Sequence, residues 1–195
     1  MAKINDEVLL IGDSISLGYC PHVTAELEGR CVVRRREGIC GDSGRLLADL
    51  DLHLAEAPAA ALVHFNCGLH DIKRDRTTGT FQIPLKDYQA NLRHIVARLK
   101  GTGKPLIWAR ITPVIFERHH KVKPEDRREE DVQAYNAAAD AIMAEAGIPL
   151  DDLYALIMAA GPAEYLREDG VHFTDAGSKL LGRQVAGVIR KAIRE

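Results

Sequence analysis

Apolar runs of strand length alternate with segments of helical period along this chain of 195 residues. The runs are continuous, a pattern typical of strands buried on both faces of a sheet. A strand–helix alternation of this kind predicts an α/β protein whose parallel sheet is covered by helices on both faces. The five predicted strands are Glu7–Gly12, Cys31–Arg35, Ala61–Asn66, Pro105–Ile111 and the short Ile148–Leu150.

Helices are predicted between these strands from apolar stripes and capping residues. Gly147 follows an alanine-rich segment and is a typical residue for ending a helix. Aspartate and threonine are typical N-cap residues, which precede the first turn of a helix. The predicted helices are Leu85–Leu99, Val132–Ala146, one from Asp151 or Asp152 to about Ala160, and a last one capped by Thr174.

The composition predicts one domain over residues 1–195. Hydrophobic residues make up 46% of the chain and the net charge is −2, which is enough apolar material for a core and excludes disorder. The near-neutral charge argues against a nucleic-acid partner. No apolar run approaches the ~20 residues of a membrane span, and no signal-peptide core precedes the first strand. We therefore expect a cytoplasmic protein without a membrane partner.

Neither the cysteines nor the paired histidines have the spacing of a metal site. Cys20, Cys31, Cys40 and Cys67 show no metal-ligand spacing, and we interpret them as core or loop thiols. His119 and His120 lie in the densely charged segment 116–131, where no further ligands occur at regular spacing. No metal site is predicted. We expect this segment to fold over the functional site and help select substrate; a solvated loop is the alternative.

Polar residues follow the predicted strands at their C-terminal ends, where open parallel sheets bind ligands. Each of these turns carries glycine or proline together with a possible donor or nucleophile. The segments are Gly-Asp-Ser at 12–14, Gly-Ile-Cys-Gly-Asp-Ser-Gly at 38–44, Asn-Cys-Gly-Leu-His-Asp at 66–71, Arg-Ile-Thr-Pro at 110–113 and, before the last helix, Glu-Asp-Gly-Val-His-Phe at 168–173.

These residue types point to acyl transfer. A serine hydroxyl such as that of Ser14 needs a base to take its proton, and His172 is a natural base. Asp169, three residues earlier, can hold the imidazole ring and its tautomer. The N–H groups of Ser14 and Gly41, with a side chain from the third loop, can stabilise the oxyanion. The alternatives are a helix-capping role for Ser14 and a positive φ angle at Gly41.

Four of these motifs resemble the four conserved blocks of SGNH (GDSL-type) hydrolases, occur in the same order and span nearly the whole chain. They lie at 12–14, around Gly41, at 68–71 and at 169–172. The resemblance implies a flavodoxin-like three-layer α/β/α sandwich with a five-stranded parallel sheet. It also implies an ester hydrolase without a cofactor, in which Ser14, Asp169 and His172 form the triad. The N–H groups of Ser14 and Gly41 would then line the oxyanion hole.

The third block departs from the family pattern, Gly-X-Asn-Asp, whose asparagine is the third oxyanion donor. His70 stands in that place. A neutral imidazole donates one N–H and an imidazolium two, so His70 can take over the role; a histidine that only ties down its loop is the alternative. Further candidates for substrate binding are Asn66, Arg110, His119 and His120. For Arg110, pairing with a nearby carboxylate is the alternative.

The sequence therefore predicts a serine esterase that removes short acyl groups such as acetyl from a carbohydrate or another small molecule. Support for short groups is the absence of a long apolar insertion that could hold a fatty tail. A thioesterase or a lysophospholipase-like hydrolase is the alternative within the class, and a non-catalytic flavodoxin-like binding module is the alternative outside it. A receiver module is disfavoured because Asn66 occupies the place of its acidic phosphoacceptor. The sequence also lacks the Gly-x-x-x-x-Gly-Lys-Ser/Thr loop of phosphate-binding proteins and the Gly-x-Ser-x-Gly elbow of α/β-hydrolases, which disfavours both classes.

Overall fold

The computed structural model describes residues 6–193 and contains a five-stranded sheet in the order β2-β1-β3-β4-β5. All neighbouring strands are parallel. This strand order is that of flavodoxin-like sheets, so the predicted fold class is confirmed. The strands are β1 (Glu7–Ile11), β2 (Val32–Arg34), β3 (Leu62–Phe65), β4 (Leu106–Ala109) and β5 (Leu150–Asp151).

Eight helices within the described residues cover the two faces of the sheet. Helices α1 and α8 pack together on one face, and α2, α3 and α5 pack in sequence on the other, which makes three layers. The helices are α1 (Ser14–Glu26), α2 (Ser43–Ala55), α3 (Leu85–Gly101), α4 (Phe116–Val122), α5 (Glu129–Ala146), α6 (Leu153–Ala160), α7 (Pro162–Tyr165) and α8 (Asp175–Ala192).

Apolar runs and helix-capping residues, the two local patterns read in the sequence, explain most of these elements. Every residue of β3 and β4 is buried, as the continuous apolar runs predict. Helix α6 is capped by Asp152, whose side chain accepts the Ala155 N–H at 2.9 Å. Thr174 caps α8, and Gly147 ends α5 with φ of 69°. These caps and strands agree with the predictions.

The charged segment 116–131 differs from its predicted form. It contains α4 and the first turn of α5, which begins at Glu129, three residues earlier than predicted. Three acidic residues in that first turn, Glu129 to Asp131, favour a helix N-terminus.

Two predictions about the whole chain remain predictions. The single domain was assigned to 1–195, and residues 1–5 and 194–195 lie outside the described part. In the described part, no helix combines the length and the apolar character needed to cross a membrane. The cytoplasmic location is not tested by this finding.

Candidate active site

The Gly-Asp-Ser turn places Ser14 at the C-terminal end of β1, as the first residue of α1. The carboxylate of Asp13 caps the helix and accepts the Ile15 N–H at 2.9 Å. The Ser14 side chain is half-buried, and its Oγ lies 2.9 Å from Nε2 of His172. The serine hydroxyl can therefore donate its proton to this ring nitrogen.

Asp169 holds the opposite side of the same imidazole. The Nδ1–H of His172 donates to Oδ2 of Asp169 at 2.6 Å. Oδ1 of Asp169 accepts the N–H groups of Val171 at 3.1 Å and His172 at 2.9 Å. Burial acts to raise the pKa of Asp169, but these hydrogen bonds outweigh it and lower the pKa to about 2. An ionised Asp169 leaves Nε2 of His172 unprotonated and facing Ser14, so the structure brings the three residues together in the predicted order.

The turn that carries Asp169 is held against the start of α4. Gly170 adopts φ of +67°, and a Cβ at this position would lie 2.3 Å from the carbonyl oxygen of Ile115. The Ile115 N–H donates to the Gly170 carbonyl at 2.8 Å. Only glycine allows this close approach. The backbone of the acid turn is thereby fixed.

Two free N–H groups lie beside the serine. The Cys40 N–H donates to the Gly12 carbonyl at 3.0 Å, which places the loop of Gly41 next to the Gly-Asp-Ser turn. Within residues 6–193, neither the Ser14 N–H nor the Gly41 N–H has a hydrogen-bond acceptor. Since Ser14 begins a helix, the dipole of α1 also favours negative charge here. Both groups remain available as donors to an oxyanion.

His70 is half-buried and lies within reach of the charges of Asp13 and Asp42, the residues that cap α1 and α2. Burial, followed by the charges of Lys73 and Arg127, lowers its pKa, while Asp13 and Asp42 oppose the shift. Within the described chain, neither ring nitrogen is hydrogen-bonded to another residue. A neutral ring with a free N–H is therefore present, and its role as the third oxyanion donor stays a prediction.

Arg35 joins the serine turn to the loop of Gly41, a role not predicted from the sequence. One guanidinium nitrogen, Nη2, donates to the carbonyls of Gly12 and Asp13, both at 3.2 Å. The other, Nη1, donates to the Gly38 carbonyl at 2.5 Å. Three carbonyls from two loops are thus held by one side chain.

Asp71 joins the loop of His70 to the start of α2. Its buried carboxyl accepts the Ser43 N–H at 3.1 and 3.0 Å and also bonds the Ser43 hydroxyl. Asn91 Nδ2 donates to the same hydroxyl at 3.0 Å. Because Ser43 follows Gly41 by two residues, this contact positions the second loop relative to the third.

Arg127 and His119 join the loop of His70 to the acid turn. Arg127 is buried; its Nε donates to the Leu69 carbonyl at 2.7 Å, and its Nη1 donates to Nε2 of His119 at 3.3 Å. The Nδ1–H of His119 then donates to the Asp169 carbonyl at 3.2 Å. Burial and the charge of Arg127 lower the pKa of His119, which is consistent with this neutral tautomer. His119 therefore supports Asp169 from behind.

Each of the four further side chains predicted to bind substrate has partners within the protein, and their role in substrate binding stays a prediction. The Nδ2 group of Asn66 donates to the Ala109 carbonyl at 2.6 Å, and Arg110 pairs with Asp140 at 2.7 Å and Asp152 at 2.5 Å. Asn66 and Arg110 line a cavity of about 10 Å³, which holds about one water and no substrate.

The paired histidines also have partners within the protein. His119 is fully buried behind the acid turn. Nδ1 of His120 lies 2.8 Å from Oδ1 of Asp126, and its ring packs 5.2 Å from that of Phe116. The partner that buries His119 against the acid turn, Asp169, lies 50 residues further along the chain, whereas Asp126, the partner of His120, is only six residues away.

Replacing Arg127 with Met should destabilise the protein. The change leaves the Leu69 carbonyl and Nε2 of His119 without their donor, and each buried polar group left unsatisfied costs about 1–3 kcal/mol. Urea unfolding followed by circular dichroism measures the free energy. Arg128→Met is the matched control, since the part-exposed Arg128 pairs loosely with exposed Glu130, at 3.7 Å, and lies 5.1 Å over the Phe116 ring, and the change should cost less than about 1 kcal/mol. Equal losses in the two variants would contradict the assignment.

Asp71 should make stability depend on pH. Burial raises its pKa to about 7, with the Ser43 hydrogen bonds opposing the shift, whereas an unfolded aspartate titrates near ~3.9. Between those pH values the folded chain holds more protons, so its stability falls as the pH rises.

The test compares the free energy of unfolding of the wild type and of Asp71→Asn from about pH 4 to pH 8. Asn keeps an acceptor for Ser43 but does not titrate, so the difference between the two curves should change with pH. Parallel curves would show that titration of Asp71 does not cause the pH dependence of stability.

The site has no arrangement suited to a metal ion. Among residues 6–193, no group of three or more histidine, cysteine, aspartate or glutamate side chains converges in a geometry that could hold one. The chemistry described below uses side chains and backbone N–H groups alone.

The parallel sheet has flavodoxin-like strand order, and a hydrogen-bonded Ser-His-Asp set lies at the C-terminal ends of its strands. A family model, the GDSL-like lipase/acylhydrolase family, matches residues 10–180. The chain belongs to this family and is a carboxylic ester hydrolase. No curated protein sequence matches the chain significantly.

Solved structures share the fold at low sequence identity. A lipase/acylhydrolase from Enterococcus faecalis superposes with a TM-score of 0.80 at 20% identity, covering 96% of each chain. The acetyl xylan esterase AlAXEase superposes with a TM-score of 0.74 at 15% identity, covering 94% of this chain and 99% of that one. A variant of Axe2, an acetyl-xylooligosaccharide esterase from Geobacillus Stearmophilus, superposes with a TM-score of 0.75 at 21% identity, covering 96% of each chain.

Proposed function

We propose that the protein is a short-chain acyl esterase that acts through a Ser14–His172–Asp169 triad and an acyl-enzyme. The observation that carries the proposal is the continuous hydrogen-bond chain, 2.9 Å from Ser14 Oγ to His172 and 2.6 Å from His172 to Asp169. A serine alone is a weak nucleophile, and this arrangement supplies the base and its orientation.

The reaction proceeds in two halves. Nε2 of His172 takes the Ser14 proton as Oγ attacks the ester carbonyl, and the oxyanion is stabilised by the N–H groups of Ser14 and Gly41 with the ring N–H of His70. The protonated His172 gives its proton to the leaving alcohol. Water then attacks the acyl-enzyme with His172 again as base, which releases the acid and regenerates Ser14.

The size of the cleft supports a small substrate. The cleft at Ser14 has a volume of about 220 Å³, at the small end for ligand sites. Acetyl xylan and acetyl-xylooligosaccharide esterases are among the structures that share the fold, which supports acetyl and a carbohydrate alcohol. The complete hydrogen-bond chain disfavours a non-catalytic binding module.

A panel of p-nitrophenyl esters with increasing acyl length, run beside acetylated sugars and an acyl thioester, tests the proposal. We expect the highest kcat/KM for acetyl, with Ser14→Ala inactive on every substrate. A maximum at long acyl chains would favour the lysophospholipase-like alternative, and a preference for the thioester would favour a thioesterase. Activity that survives in Ser14→Ala would contradict the mechanism.

A further inference from the structure

The cleft beside Ser14 contains one permanently charged side chain. Its polar lining comes from Ser14, His172, Ser178 and Arg167, and its apolar lining includes Leu17 and Phe173. None of its lining residues is acidic. Arg167 therefore sets the sign of the charge in the cleft.

Arg167 has no partner of its own. Its side chain is exposed, and within residues 6–193 it makes neither a salt bridge nor a hydrogen bond. The nearest acid of the site, Asp169, is already bonded to His172. An unpaired guanidinium in a reaction cleft is a suitable group for binding a carboxylate or phosphate.

The backbone of Arg167 is held firmly next to the base. Its N–H donates to the His172 carbonyl at 2.7 Å, and its own carbonyl accepts the Gly170 N–H at 3.0 Å. The neighbouring residues Leu166 and Phe173 form an antiparallel bridge. The arginine thus starts from the same fixed turn as Asp169 and His172.

The position of the cleft identifies the part of the substrate that Arg167 meets. The cleft is lined by Ser14 and His172 but not by Gly41 or His70, so it lies on the side of the base and away from these two oxyanion donors. The leaving alcohol receives its proton from His172 and must lie on this side. Resting on the proposed esterase function, we propose that the preferred substrates are acyl esters of alcohols that carry an anionic group, and that Arg167 recognises this group.

The experiment compares two acetate esters that differ only in charge, those of 4-hydroxybenzoate and of neutral 4-hydroxybenzamide. The ratio of their kcat/KM values is measured in the wild type, in Arg167→Gln and in Arg30→Gln. Arg30 is the matched control because it is exposed and precedes β2, at the opposite end of the sheet from the site. Comparing this ratio between enzymes cancels the difference in intrinsic reactivity of the two esters, which is the same for each enzyme.

We expect Arg167→Gln to lower the ratio of anionic to neutral ester by up to about fivefold, the upper end for an exposed ion pair. Arg30→Gln should keep the wild-type ratio. The wild-type preference should also weaken with added salt. An unchanged ratio in Arg167→Gln, or an equal loss for both esters, would overturn the proposal.

Binding without turnover gives a second measurement. In Ser14→Ala, 4-hydroxybenzoate should bind more tightly than 4-hydroxybenzamide by calorimetry, and adding Arg167→Gln should remove the difference. Equal binding of the two in Ser14→Ala would overturn the proposal. If the wild type hydrolyses neither ester and a fluorophosphonate does not label Ser14, the esterase function itself fails; hydrolysis of both without a charge preference overturns only the role of Arg167.

Discussion

Replacing Asp169 with Asn is expected to lower kcat by up to about 10⁴-fold, as in the serine-protease example of the same change. The carboxylate accepts the Nδ1–H of His172 at 2.6 Å and so keeps Nε2 free for the Ser14 proton. An asparagine side chain can present its N–H₂ to Nδ1, which places the ring proton on Nε2 and removes the base. Steady-state hydrolysis of p-nitrophenyl acetate measures the loss.

Folding can be separated from catalysis in this variant. The oxygen of the introduced asparagine can still accept the backbone N–H groups of Val171 and His172, which Asp169 accepts at 3.1 and 2.9 Å, so the turn should survive. Glu168→Gln is the matched control, since Glu168 is the exposed neighbouring acid. A kcat within tenfold of the wild type in a folded Asp169→Asn variant would show that Asp169 does not orient the base.

Replacing His70 with Ala is expected to lower kcat by roughly 10²–10³, or about 3–4 kcal/mol, with a smaller effect on KM. The reason is the loss of one preorganised donor where negative charge develops. His70→Asn restores the family's residue and should recover part of the loss. Because burial lowers the pKa of His70, the neutral ring donates, and its contribution should persist as the pH rises above neutrality.

The competing role for His70 is structural. A histidine that only ties down its loop would lower the melting temperature in His70→Ala while kcat per folded molecule stayed nearly unchanged. Circular dichroism melting curves beside the kinetics separate the two roles. The loop that carries His70 is tied to α2 by the hydrogen bonds between Asp71 and Ser43, which do not involve the His70 ring. We therefore expect His70→Ala to cause little loss of stability.

The strands and the triad loops were predictable because their causes are local. Strands β1, β3 and β4 lie inside the sheet, so both faces are buried and the apolar runs are continuous. The shared location of the motif residues then follows from the geometry of parallel strands, because the C-terminal ends of these strands lie at one edge of the sheet. The final strand, predicted at 148–150, begins two residues later and ends one residue later, because β5 is only two residues long and has little pattern of its own.

The side chains that hold the loops together were not predictable in the same way. Arg127 bonds a carbonyl 58 residues earlier, and Arg35 bonds one 23 residues earlier. Arginine–carbonyl contacts of this kind leave no spacing pattern, because any residue supplies the carbonyl. The dense charge around Arg127 therefore suggested a solvated or substrate-facing segment, whereas His119 and Arg127 are buried supports of the site.

Helix α1 also lacks the signals that would mark it in the sequence. It contains Pro21 and begins directly at the Gly-Asp-Ser turn. Its position depends on close packing with α8, where a Cβ on Gly182 would lie 2.6 Å from Cβ of His22. A contact between residues from opposite ends of the chain does not show in a local pattern.

The most direct test of the proposed mechanism is covalent labelling with a fluorophosphonate, read by intact mass and peptide mapping. The chain offers two nearby serines as internal controls: Ser16, whose hydroxyl donates to the Asp13 carbonyl at 2.8 Å, and Ser43, which bonds Asp71. Both are buried, so neither should react. We expect one adduct, on Ser14, and none in Ser14→Ala or after Asp169→Asn at the same short reaction time. An adduct on Ser16 or Ser43, or an active preparation that takes no label, would contradict the mechanism.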